Sequence, residues 1–211
     1  MKHIVSESDV NKRKNRTLTT IQIVDRFEQT LHNWEQEEKI LKTLSTRNYG
    51  KEKLEELKTI LEEYKEASDR HKQGLKDRKV LTLKVKKKKA ASSVTLKEIT
   101  NFTKMVFEED ETARHQLGLN QKPPNSILGW INYQLDFTND LLGNEDYLTA
   151  LRESHNIAKE DISAARAALM DLRVTEKDQE NMKARVQDYS KAKKDALGKL
   201  KKEEIKLKKI V

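Results

Sequence analysis

The 211-residue sequence has no cysteine, two prolines and six glycines. The lack of cysteine excludes a disulfide scaffold, a cysteine zinc site, an iron–sulfur protein and a thiol nucleophile. No apolar run is long enough to cross a bilayer. Residues 1–6 contain no apolar stretch typical of a secretory signal. We therefore expect a cytoplasmic protein with no transmembrane segment.

Charged residues make up 37 % of the chain, and aliphatic, aromatic and cysteine residues together only 35 %. Such a composition is typical of long helices or coiled coils, but also of disordered chains. The spacing of apolar residues decides between them, because one run alternates in steps of three and four over about seven helical turns. This run consists of Leu148, Leu151, His155, Ala158, Ile162, Ala165, Leu169 and Leu172. The sequence therefore predicts a folded helical protein.

We predict an all-α fold: an elongated, antiparallel helical bundle with coiled-coil-like packing and about six helices. The helices are expected to begin near residues 17, 51, 95, 126, 148 and 175. This order divides the chain into three parts. Residues 1–16 form a basic arm, residues 17–90 a helical hairpin with a lysine-rich end, and residues 91–211 a four-helix segment with a lysine-rich C-terminal end.

Two of the expected helix starts rest on capping boxes, in which side chains satisfy the unpaired backbone N–H groups of a first turn. They are Thr95 with Glu98, after a joint of small residues at 90–93, and Thr175 with Asp178. Residues 80–86 alternate with period two, which is typical of a strand. We favour a helix there because Ile4-Val5 is the only evident partner for such a strand.

A weak internal repeat leaves open whether a helical hairpin was duplicated. Four residues of the second predicted helix recur in the sixth at constant spacing: Leu57, Leu61, Tyr64 and Ala67 match Met182, Val186, Tyr189 and Ala192. The other interpretation is that amphipathic helices resemble each other by chance.

Charge is unevenly distributed along the chain. Residues 1–16, 76–90 and 191–211 carry net charges of +3, +7 and +6, whereas the whole chain carries +8. The remaining residues therefore carry a net charge of −8. If the six helices run up and down through short turns, all three windows meet at one end, the basic pole. The opposite end, the acidic pole, would collect Glu35, Glu37, Glu38, Glu52, Glu55, Glu56, Asp171, Glu176 and Asp178.

These charges predict a non-catalytic scaffold or assembly component, in which the basic pole contacts an acidic pole on another copy or on a protein partner. The alternative is non-sequence-specific binding of a polyanion, either nucleic acid or an acidic membrane surface. A third interpretation is that the lysines are only solvated. The candidate interaction residues are Lys84, Lys86, Lys87, Lys88, Lys89, Lys199, Lys201, Lys202, Lys206, Lys208 and Lys209.

Patterns that carry chemistry are missing. No glycine-rich phosphate loop, nucleophile elbow, His-Glu-x-x-His motif or Glu-x-x-His pair occurs. We therefore predict no catalytic, cofactor-binding or metal-binding residue and no small-molecule substrate. The basic windows contain no aromatic residue and more lysine than arginine. Any nucleic-acid binding should therefore depend on phosphate contacts and on salt.

Overall fold

A computed structural model describes residues 19–47 and 49–210, which form helices and no strand. The all-α prediction is confirmed, with seven helices in these residues where the sequence indicated about six. They are α1 (Thr20–Gln36), α2 (Glu38–Ser45), α3 (Lys51–Val106), α4 (Glu111–Gln116), α5 (Ile127–Leu142), α6 (Glu145–His155) and α7 (Lys159–Lys208). The predicted basic arm, residues 1–16, lies outside the described residues.

The chain divides into two compact units. The first contains the described residues of Met1–His71 and Tyr189–Val211, and the second is Lys72–Asp188. Helices α3 and α7 each contribute to both units. The predicted division between residues 90 and 91 falls inside α3.

The first unit packs α1, α2, the start of α3 and the end of α7 around one apolar core. Phe27 and Trp34 of α1 and Leu57 of α3 are almost fully buried there with Leu200 of α7. Helix α1 begins at a capping box in which Thr19 Oγ1 accepts from the Gln22 backbone N–H at 3.3 Å. The Gln22 side chain accepts from the Thr19 N–H in return. Amphipathic spacing and this cap together explain α1.

The second unit surrounds α5, the most apolar helix, with α3, α4, α6 and α7. Ile131 and Leu141 of α5 are fully buried against Leu151, Ile162 and other apolar residues of this core. Ser126 caps α5, since its Oγ accepts from the Gly129 N–H at 3.1 Å.

The predicted joint at residues 90–93 is wrong, because α3 continues through it without a break. Alanine has the highest helix propensity, so two alanines in succession support a helix as readily as they permit a turn. Leu96 and Ile99 continue the buried face of α3 beyond this point. The capping box predicted at Thr95 is therefore absent, and residues 80–86 are helical, as we favoured.

The helix start predicted at Thr175 is also wrong. Thr175 lies inside α7, where its hydroxyl donates to the carbonyl oxygen of Asp171 at 2.9 Å. A threonine inside a helix commonly bonds four residues back in this way instead of capping. The chain actually breaks at Asn156, which adopts a left-handed conformation with φ of 55° and divides the predicted fifth helix into α6 and α7.

These two corrections remove the helix order from which the single basic pole was predicted. Without a turn at residues 90–93, the lysines at 84–89 lie in the interior of α3, not at a helix end. They belong to the second unit, whereas Lys199–Lys209 belong to the first. The N-terminal window lies outside the described residues. Of the residues predicted for the acidic pole, Glu35 and Glu52 lie in the first unit and Asp171 in the second.

The continuity of α3 predicts a large effect of proline at the former joint. Ser93→Pro should destabilise the protein by about 3 kcal/mol or more, because proline removes a backbone hydrogen bond and clashes with the preceding turn. Lys122→Pro, placed in the segment between α4 and α5, should cost far less. Thermal unfolding followed by circular dichroism measures both. Equal, small effects would show that α3 is interrupted near residue 93.

Candidate interaction surfaces

The lysines at positions 84–89 fall into two groups. Lys88 and Lys89 are half-buried and bind within the second unit. Lys88 Nζ lies 2.6 Å from Asp171 Oδ2 and donates to Thr175 Oγ1 at 2.8 Å. Lys89 Nζ lies 5.3 Å from the centre of the Trp130 ring, a cation–π contact. Their charges therefore help to fasten α3 to its neighbours.

Lys84, Lys86 and Lys87 are exposed and form no ion pair or hydrogen bond with the described part of the chain. They are preceded on α3 by further exposed basic residues, Lys76, Arg78 and Lys79. Of the predicted site residues in α3, these three lysines are the ones available to a partner.

A line of exposed residues, which we call the outward stripe, runs along α3 in the second unit. Its members recur in steps of four and three: Val80, Lys84, Lys87, Ala91, Val94, Glu98, Asn101 and Met105. Val80, Val94 and Met105 are 51 %, 72 % and 61 % exposed, and Leu83 beside them is 58 % exposed.

The outward stripe lies almost opposite the buried face of α3. Leu96 follows Val94 by two residues, which is about 200° around the helix axis, and Leu96 is only 1 % exposed. Ser92, Ile99 and Thr103 continue the buried face. Helix α3 therefore presents one apolar line to its own core and a second, partly apolar line to the solvent.

The C-terminal lysines, in the first unit, are also divided. Lys199 Nζ lies 2.9 Å from Glu63 Oε2, and Lys206 Nζ lies 2.5 Å from Glu203 Oε1. Lys208 Nζ lies 2.6 Å from Glu204 Oε1. Lys201, Lys202 and Lys209 are exposed and have no ion-pair partner among residues 19–47 and 49–210. Half of this predicted group is thus held by carboxylates of the same unit.

Glu203 and Glu204 are buried, which the sequence analysis did not predict. Their side chains are each 11 % exposed, and Lys53 Nζ lies 3.7 Å from Glu203 Oε2. A hydrogen bond to Glu56 raises the pKa of Lys53, with a smaller contribution from Glu203. Their burial could have been predicted from the sequence. Both glutamates lie at helical spacing between Leu200 and Leu207, on the apolar face of α7.

Four of the nine residues of the predicted acidic pole, Glu35, Glu55, Glu56 and Asp171, form ion pairs within the described part of the chain. Lys58 Nζ lies 2.7 Å from Glu35 Oε1 and 3.1 Å from Glu55 Oε1. The hydrogen bond from Lys58 lowers the pKa of Glu35, so this carboxylate stays ionised in acid further than usual. Glu56 pairs with Lys53 at 2.8 Å. These pairs link neighbouring helix turns or adjacent helices and leave fewer carboxylates for a partner.

A groove of about 470 Å³ lies beside α1 and α2 in the first unit. Its walls include Trp34, Ile40, Leu207 and Ile210, with Arg47 at the side. The Arg47 guanidinium donates to the carbonyl oxygen of Ile210. The groove is mainly apolar and open to solvent.

In the described part of the chain, no three or more His, Asp or Glu side chains converge in a way that could hold a metal ion. The histidine predicted at a seam, His155, packs against Phe102 with ring centres 4.5 Å apart. Among residues 19–47 and 49–210, no helix is both long enough and apolar enough to cross a membrane.

Replacing the buried Glu203 tests how much its carboxylate contributes to the stability of the protein. Glu203→Leu should leave stability unchanged or raise it by about 1 kcal/mol, because it removes a buried carboxylate without leaving a buried, unpaired charge. Lys53 keeps its pair with Glu56, and the Lys206 side chain is 57 % exposed. Leu200→Ala, one turn earlier, should cost about 2–5 kcal/mol. Urea unfolding measures both. A loss above about 1 kcal/mol for Glu203→Leu would show that its pairs with Lys53 and Lys206 outweigh their desolvation.

Among the described residues, two groups of the predicted lysines thus remain available to a partner. One is Lys84, Lys86 and Lys87, along the outward stripe of α3, and the other is the exposed trio Lys201, Lys202 and Lys209. Comparisons with protein-family models, curated protein sequences and solved structures gave no match to this chain.

Proposed function

We propose that this protein is a non-catalytic helical scaffold or assembly component that binds a protein partner through the outward stripe of α3 and the lysines along it. The observation that carries the proposal is the exposure of Val80, Val94 and Met105 opposite the buried face of the same helix. A surface helix of a globular protein normally has one apolar face. A second apolar line supports a partner that covers it.

The proposal keeps contact between basic and acidic surfaces but changes where it occurs. Lys84, Lys86 and Lys87 are the basic residues that we assign to the interface, because Lys88 and Lys89 are already bound within the second unit. A partner would place carboxylates near these lysines and apolar groups on the stripe between them. A cytoplasmic location is part of the same proposal.

Valine substitutions on two different helices test this interface. We expect the wild-type protein to form a defined oligomer, and Val94→Asp to reduce it toward the monomer mass of 24.6 kDa. Val174→Asp is the matched control, since Val174 is 60 % exposed on α7 of the same unit. Light scattering after nuclease treatment, over a wide range of protein concentration and at two salt concentrations, gives the masses.

A monomeric wild-type protein under all these conditions would contradict self-assembly. The scaffold function would then require a different protein as its partner. An oligomer that is lost with Val174→Asp but not with Val94→Asp would place the interface on α7.

Polyanion binding is the second candidate function. It is favoured by six exposed basic side chains between residues 76 and 87 of α3 that have no ion-pair partner in the described part of the chain. A series of lysines on one helix suits the regular phosphates of a nucleic acid or the headgroups of an anionic membrane. Glu98 on the outward stripe favours the protein partner, because its carboxylate repels an anion.

Charge reversal of two matched lysine groups tests polyanion binding. Changing Lys84, Lys86 and Lys87 to glutamate should abolish binding to duplex DNA and to anionic vesicles, if such binding is the function. The control changes Lys201, Lys202 and Lys209 in the same way. Fluorescence anisotropy against salt concentration measures the loss, and each lysine that contacts a phosphate should contribute about one unit to the slope of log K against log salt. Equal loss in both variants would indicate attraction to net charge alone.

A further inference from the structure

The spacing of residues along the outward stripe of α3 is the same in both directions. Its successive intervals are 4, 3, 4, 3, 4, 3 and 4 residues from Val80 to Met105. Residues spaced in this way follow the heptad pattern through which two helices pair. Since the intervals are symmetric about the midpoint between residues 92 and 93, a second α3 running in the opposite direction would present the same positions in register.

We propose that two copies of this chain pair antiparallel through the outward stripe of α3, related by a two-fold axis near residues 92 and 93. This inference rests on the proposed assembly function and names the partner as a second copy. A two-fold interface uses the same patch on both subunits, so every contact between two unlike positions occurs twice.

The apolar positions match in this arrangement. Val80 of each copy faces Met105 of the other, near the two ends of the stripe, and Ala91 faces Val94 at the centre. The small side chain of Ala91 leaves room for Val94, the most exposed valine of the helix at 72 %. Leu83, 58 % exposed beside the stripe, widens the apolar contact. All these side chains are solvated in an isolated copy.

The charged positions match as well. Lys87 of each copy faces Glu98 of the other, and Lys84 faces Asn101. Neither Lys87 nor Glu98 forms an ion pair or a hydrogen bond within the described residues, so both remain available for an intermolecular pair. Polar or charged residues at the core positions of a coiled coil specify register at a cost in stability.

Charge also argues against the other arrangements. A parallel pair in register would place Lys84 and Lys87 against the same lysines of the second copy, and Glu98 against Glu98. Like charges in contact oppose association. An anionic membrane or nucleic acid would meet Glu98 within its contact surface. The antiparallel second copy is the occupant that places an opposite charge against both Lys87 and Glu98.

Cysteine cross-linking tests this geometry, and the absence of natural cysteine makes the result specific. Val80 and Met105 are 25 residues apart, or about 37 Å along the helix, but face each other across the proposed interface. A mixture of the Val80→Cys and Met105→Cys variants should form a disulfide-linked dimer under mild oxidation. Neither variant alone should do so. Self-linking of the Val80→Cys variant would show a parallel pair and overturn the proposal.

Exchanging the two charges is the second test. Lys87→Glu and Glu98→Lys should each lower the association constant about tenfold, because two attractive pairs become two repulsive ones. The double variant should recover to near the wild-type value. Sedimentation equilibrium measures the constants, with circular dichroism to confirm folding and Lys177→Glu on α7 as the control. Failure of the double variant to recover would overturn the pairing of Lys87 with Glu98.

The outcomes separate this inference from the proposed function. If the wild-type protein assembles but the cysteine mixture gives no cross-link and the charge variants change nothing, the scaffold proposal stands and the antiparallel α3 pair is wrong. If the wild-type protein stays monomeric at every concentration, the antiparallel pair is wrong, and so is assembly with itself.

Discussion

The continuity of α3 through residues 90–93 is the constraint on which the surfaces of this protein depend. Because the backbone hydrogen bonds continue through Ala90, Ala91 and Ser93, residues on both sides of this segment keep one helical phase. The buried face that contains Leu96 and the outward stripe that contains Val94 are therefore fixed nearly opposite each other. A turn at this point would have separated the two halves of the stripe and removed its symmetry.

The same continuity changes what the lysines at 84–89 can contact. Placed at a helix end, lysines meet the negative end of the helix dipole and are often simply solvated. Placed in the interior of α3, they alternate with the buried face, so that Lys88 binds Asp171 and Thr175 while Lys87 is exposed. One run of like charge thus supplies both internal contacts and an external surface.

The sequence predicted which lysines are candidates for the surface, but it could not predict which of them are exposed and which bind within the protein. Lysines 84, 86 and 87 were identified by charge density alone. Lys88 and Lys89 differ from them because they contact Asp171 and Trp130, which lie on other helices. These contacts are known only from the tertiary structure. The buried Glu203 was missed because a carboxylate on an apolar seam is ordinarily exposed. Here Lys53 and Lys206 form ion pairs with it.

The sequence by itself determined the helical class and the apolar faces, since periodicity and the α5 cap at Ser126 are local properties of the chain. Only the tertiary structure decided where the helices end and which apolar line is covered. Thr95 and Thr175 could each have capped a helix or continued one, and local chemistry permits both. Packing against α5 and its neighbours favoured continuation. It buried the face of Leu96 and left Val94 in solvent.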